Sequence, residues 1–259
     1  MGHYIKNPSP QQVDHATGLL AEQVKLLYKQ ASKAHLATLI ISPAFAFISW
    51  NSFPSNWLLS WVLAVYLLAL ARQSLIHFYF HKNPSAVESL LWGRLFIGAV
   101  LLSGILWGIA GGVFFVEDSP IHQLFLAYIL GGMVAGAMAT LSSYRGAFFA
   151  FSVPATIPFI YQVISHENSG YFLIALTYLF FLLMMVSISH QLYQTIADSL
   201  NLRFNNVDLL NRLLQAQNRQ HAINLELQKQ VTEKDLSQQA LQHAKNELEQ
   251  RVAERTTAL

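Results

Sequence analysis

Cysteine is absent from this chain and charge is scarce. Without cysteine there is no disulfide, no thiolate metal site and no cysteine nucleophile. Charged residues make up 12% of the 259 positions and hydrophobic residues 53%. A soluble domain carries about twice that share of charge, roughly 25%. The mean hydropathy is +0.35. The composition is that of a membrane protein. The net charge of +2 is too small to argue for a nucleic-acid partner. The polar, charged N-terminal stretch has no short apolar core of the kind a cleavable signal peptide carries, so the first membrane helix should also be the targeting signal.

Catalytic signatures are missing too. There is no GxxxxGK[ST] phosphate loop, no GxGxxG after a strand, no HExxH and no GxSxG. The chain is therefore not expected to be an enzyme by itself, and it calls for no cofactor. His77 and His81 are four apart on one helix face, a spacing that can hold a metal or axial ligands, but no third ligand is evident. They are weak candidates, and no metal is expected. His190 lacks an acidic neighbour, which argues against a phosphoacceptor role.

What is present is six apolar runs: about His35–Asn51, Asn56–Phe80, Leu90–Val116, Ile121–Ser142, Gly146–Ser165 and Tyr171–Gln191. A span needs roughly 17–25 predominantly apolar residues, and each run reaches that within boundary error. The first, short and holding Pro43, is the weakest. No Asp or Glu lies inside any of them, which removes the carboxylate pair an intramembrane enzyme would need. Trp50, Trp57, Trp61, Tyr161 and Tyr171 sit near the expected ends, as interfacial aromatics do.

The connecting segments Ser52–Ser55, Glu117–Pro120 and His166–Gly170 contain no Lys or Arg. Lys25, Lys29 and Lys33, then Lys82 and Arg94, then Arg145, then Arg203 all fall on the other side. The positive-inside rule puts both termini in the cytoplasm. Residues 1–10 read as disordered. From Gln11 to Lys33, Val13, Leu20, Val24, Leu27 and Ala31 form one apolar face, the pattern of an amphipathic helix on the membrane surface or running into the first span.

Glycines recur every four residues in the third run, at Gly104, Gly108 and Gly112. Gly132 and Gly136 follow in the fourth, with Thr140 in phase. Small residues in line let membrane helices approach closely, so these two runs read as a packed core hairpin. Pro154 and Pro158 each remove an amide donor, so a kink is expected in the fifth span, and with it a candidate hinge. Arg72 lies in the second run and is expected to snorkel to the inner interface. Ser103, His122, Tyr128, Thr156 and Tyr178 are polar groups at or near membrane depth and form a candidate pocket for a small hydrophobic ligand. Such groups also bond across helices with no ligand at all.

After Gln191 the chain turns polar, and neither Pro nor Gly interrupts it. With Val231 at heptad position a, the seam from 224 to 259 carries Leu227, Val231, Leu241, Leu248, Val252 and Leu259 among Asn224, Lys234, Gln238, Lys245 and Arg255. Val207, Leu210 and Leu214 fit an upstream heptad offset by a short skip. This predicts a parallel dimeric coiled coil of modest stability.

The runs EQVKLLYKQA (22–31), LLWGRLFIGAVLLSGILWG (90–108), SPIHQLFLAYILGGMVAGAMATLSSYRGAFFAFSVPATIPF (119–159) and SLNLRFNNVDLL (199–210) resemble the six-span membrane input region of bacterial sensor histidine kinases. Similar regions precede diguanylate cyclase and phosphodiesterase domains. NELEQRVAERTTAL (246–259) resembles the helical linker that leads into a kinase dimerisation helix or a cyclase. The resemblance implies an all-α membrane protein: an N-terminal tail with an amphipathic helix (1–33), a six-transmembrane-helix sensor bundle (34–191), and a cytoplasmic signalling helix (192–259) cut short of an output domain. It implies a homodimer in the bacterial inner membrane, whose partners are the lipid bilayer, a second copy and a downstream kinase or cyclase domain. A small transporter with a dimerisation tail is the rival; it would call for intramembrane charges and internal repeats.

Overall fold

The computed structural model describes residues 10–165 and 169–257. Among them every regular element is helical: α1 (Pro10–Ile48), α2 (Ser55–Lys82), α3 (Ser89–Val113), α4 (Pro120–Leu141), α5 (Ala147–Ile164) and α6 (Ser169–Thr257). The expected disordered start, most of the 166–170 connection and the last seam position, Leu259, lie outside the described residues. Local chemistry explains the helix ends. Asn83 takes the left-handed conformation at the end of α2 (φ 45°), and its N–H donates to the Tyr79 carbonyl at 3.0 Å. Ser119 caps α4 by accepting from the His122 N–H, and Pro120 occupies the first turn, where a missing N–H costs nothing. Gly146 enters α5 at φ 86°, a conformation open to glycine. In the α2–α3 connection Glu88 accepts from Lys82 Nζ at 2.9 Å and from the Ser85 N–H at 3.1 Å. These bonds hold its carboxyl below the ordinary range. Their contribution is present above that range and is lost as pH falls through the lowered value, and it is small because the group is exposed.

Helices α2, α3, α4, α5 and α6 are each long and apolar enough to cross a membrane. A sixth crossing requires α1 to count as one bent span, because Thr17–Ser32 and Ala37–Ile48 meet at 46°. Part of the N-terminal half of α1 packs against the other helices. Val24, Leu27, Tyr28 and Ala31 are fully buried in the helical core. Tyr28 stacks on Tyr79 with ring centroids 3.9 Å apart, and its hydroxyl donates to the Trp92 carbonyl at 3.0 Å. The amphipathic stripe read from the sequence is real, but protein covers it. Side chains at Val13 and Lys33 lie outside the described residues.

The glycine line of α3 packs on α5, not on α4. Among the described residues helices α3 and α5 share the most extensive interface, whereas α3 and α4 barely touch. A methyl group added at Gly104 would sit 2.5 Å from the Phe151 carbonyl oxygen, and one at Gly108 would run into the Pro154 carbonyl oxygen. At Gly112 it would meet Pro158 Cβ at 3.1 Å. The prolines explain this match. Pro158 has no N–H to offer the carbonyl four residues back, that of Pro154, and Pro154 likewise leaves the Ala150 carbonyl without its usual donor. These oxygens face the glycine backbone of α3, where Cα–H groups can meet them. α5 runs as one helix through both prolines. Gly132 and Gly136 behave differently: a methyl at either would find no atom within 4 Å, so the expected α3–α4 hairpin contact is not made there.

Trp61 is not an interfacial aromatic either. It is 4% exposed and donates from Nε1 to the Leu106 carbonyl at 2.7 Å, with Trp107 edge-on at 5.2 Å. Trp50, Trp57 and Tyr161 are exposed, as an interfacial belt requires. The chain divides into two compact units, residues 1–201 and residues 202–259. The second is a single helical stretch of α6 whose described side chains are exposed, apart from the half-buried Phe204.

These contacts set a direct test. Gly108→Ala should cost about 1–3 kcal/mol by overpacking, whereas Gly136→Ala should be neutral or stabilise by up to about 1 kcal/mol through helix propensity. Reversible unfolding in mixed detergent micelles measures both. Equal effects would show that the α3–α5 approach is not the tight contact.

Candidate functional site: a cavity beside a buried arginine

Arg72 lies within about one turn of the midpoint of α2. Its guanidinium turns inward instead of snorkelling. Nη1 donates to Ser103 Oγ at 3.1 Å, and the charged carbon sits 5.8 Å from the centre of the Phe96 ring. Ser103 is prepared for this role, because its own proton goes to the Ala99 carbonyl one turn back on α3 (3.1 Å), leaving a lone pair for the arginine. Arg72 Nε is buried with no hydrogen-bond partner. Among the described residues no carboxylate forms an ion pair with Arg72. Five N–H donors are available on a guanidinium, and one protein bond is made here.

The space next to this group is a cavity of about 350 Å³ lined by residues of α1 to α5 and open on one side. Val65, Val100, Trp107 and Phe151 give it apolar walls, and Thr38, Ser103 and Thr140 add hydroxyls. Gly132 and Gly136 form its α4 side. Both glycines line this cavity and are also exposed on α4, so a methyl at either meets open space. Thr140 spends its proton on the Gly136 carbonyl at 3.1 Å. The size and the mixture of apolar wall with few polar groups are those of a small-molecule site.

The five polar residues singled out from the sequence do not converge. Ser103 alone lines the cavity. His122 is buried and bonds from Nε2 to the Phe114 carbonyl at 3.0 Å, tying the start of α4 to the end of α3. Tyr128 is 79% exposed on the outer face of α4. Thr156 is buried and donates to the Ser152 carbonyl of its own helix at 2.6 Å. Tyr178 packs its ring on Phe159 at 5.2 Å, and its hydroxyl is buried without a hydrogen-bond partner among the described residues. Gln123, next to His122 at the start of α4, lies within 3.0 Å of the Val116 and Glu117 carbonyls and of the Tyr171 hydroxyl. It fastens the α3–α4 connection to the start of α6. His77 and His81 stand one turn apart on α2 with parallel, exposed rings 6.3 Å apart. Among the described residues they belong to no cluster of three or more metal-ligating groups.

The sequence carried a signal for the cavity, in Arg72 on one run and small residues at 132, 136 and 140 on another. Spacing alone could not say whether that line of small residues was filled by a neighbour or left open. No family model, curated protein or solved structure matches the chain.

A buried charge with few partners costs stability, whether or not function retains it. Arg72→Met should therefore leave thermal stability unchanged or raise it. Ser103→Ala, which strips the cation of its one protein hydrogen bond, should cost about 1.5–3 kcal/mol. Thermal unfolding of the two variants in detergent checks this. A loss in Arg72→Met as large as in Ser103→Ala would make Arg72 a structural residue.

Proposed function

We propose that this chain is the membrane input module of a bacterial signal-transduction protein, in first place a two-component sensor histidine kinase. The observation that carries the reading is the make-up of α6. One helix, 89 residues long, begins with a span-length apolar stretch and continues into a polar segment with Leu and Val at heptad spacing. Leu227, Val231, Leu241 and Leu248 are all more than half exposed in the single chain. Apolar side chains in that pattern are buried by a second helix of the same kind, so the working unit is a parallel homodimer. The polar seam positions Asn224, Lys234 and Gln238 weaken the coil and give it more than one accessible packing. A cue that binds the two packings unequally would shift their populations and pass the change to an output domain. The distribution of Lys and Arg supports an inner-membrane bundle with both termini in the cytoplasm. An input module of a diguanylate cyclase or phosphodiesterase shares every one of these features and differs in the output alone.

Two measurements test the proposal. Because the chain has no native cysteine, single cysteines report dimer geometry directly. Leu241→Cys on the seam should form disulfide-linked dimers on oxidation in native membranes, and His243→Cys, on the outer face of the same heptad, should not. Equal crosslinking at the two positions, or none, would remove the parallel dimer. The coding sequence beyond the Leu259 codon identifies the output. A phosphoacceptor histidine followed by an ATP-binding domain supports the kinase reading, and a cyclase domain changes the output and keeps the sensor. A stop codon there would favour the transporter.

A further inference from the structure

We infer that the cavity beside Arg72 binds an amphiphilic monoanion, a carboxylate on an aliphatic chain of the fatty-acid class, that enters from the bilayer. The site is independent of any signalling role of α6. Arg72 is ten residues from the Lys82 end of α2, roughly 15 Å at 1.5 Å per residue. The 28-residue helix is longer than a hydrocarbon core about 30 Å thick, so with the helix centred Arg72 lies roughly 10 Å inside that core, below the level of a phospholipid headgroup. A free carboxylic acid, neutral while it crosses the lipid, can reach this level and ionise against the guanidinium.

Charge is the second strand. Arg72 faces the cavity with one protein hydrogen bond, a buried Nε that has no partner, and no carboxylate paired with it among the described residues. A cation in that setting lacks its counter-charge, and a planar carboxylate matches the guanidinium fork. The third strand is shape. The walls away from Arg72 are aliphatic and aromatic, and about 350 Å³ accommodates a medium-length chain. Gly132, Gly136 and Ala139, all lining residues, are exposed on α4. The cavity therefore communicates with the surface that faces lipid.

The glycines supply a control. Gly136 lines the cavity, and a side chain there meets no atom within 4 Å. Gly136→Leu should thus fill the site while leaving the α3–α5 contact intact. The experiment is equilibrium binding of radiolabelled dodecanoate to the full chain in nanodiscs of neutral phospholipid, with dodecanol as the uncharged twin. Dodecanoate should bind saturably to the native chain, and dodecanol about tenfold more weakly or worse. Arg72→Gln should erase the preference for the acid, and Gly136→Leu should abolish binding with an unchanged melting temperature. Phosphatidylglycerol added to the nanodisc should not compete. Equal, unsaturable uptake of acid and alcohol by the native chain and both variants would overturn the site. Saturable binding that Arg72→Gln leaves untouched would overturn the assignment of an anion, and competition by phosphatidylglycerol would overturn the assignment of a deep fatty-acid ligand.

Discussion

The close approach of α3 to α5 is the contact on which the bundle depends. In lipid, apolar side chains gain little by leaving one hydrocarbon environment for another, so helices hold together through tight packing and polar contacts. Gly104 and Gly108 remove the atoms that would separate the two backbones. Pro154 and Pro158 leave carbonyl oxygens without helical donors on the facing surface. Each half of the contact makes sense through the other. The remaining polar links reinforce this arrangement from the side: Gln162 reaches the Gly112 carbonyl at 2.8 Å, and Trp61 reaches the Leu106 carbonyl. Both bonds terminate on the backbone of α3, which makes that helix the axis of the domain.

With α3 committed to α5, its opposite side and the inner side of α4 are left apart. The cavity is the volume between them, and Arg72 and Ser103 meet at its edge. A guanidinium at this depth is costly, and a sequence selected for stability alone would place Met or Leu there. Cavity and charge thus sit together, an empty volume next to an incompletely satisfied cation. Natural proteins accept such local deficits where a ligand or a movement makes use of them.

The polar part of α6 follows a different logic. It has no core of its own, and its stability as an isolated helix would be marginal. Its Leu and Val residues at heptad spacing are exposed in one chain, and the aliphatic seam is interrupted by Lys and Gln often enough to keep any coil weak. A weak seam is a poor scaffold and a responsive relay, which is why the proposal gives this segment a signalling role.

The sequence by itself determined the apolar, membrane-type composition, the positions of α2 to α5 within a few residues and the change to a polar helix after Gln191. Composition and period carry that information, because every spanning backbone must satisfy its own hydrogen bonds and has few forms to choose from. It also showed which residues were chemically unusual: Arg72, the two prolines of α5 and the glycine lines. Tertiary structure alone decided what they touch. The face at Gly104 and Gly108 met α5, while an equally regular face at Gly132 and Gly136 met empty space. Arg72 turned to Ser103 instead of the interface, and the apolar stripe of Leu27 and Tyr28 met protein instead of lipid. The physical reason is common to all three. A helical period specifies which side chains share a face, but the partner of that face is set by the packing of the other helices, and in a membrane lipid and protein are nearly equivalent apolar neighbours.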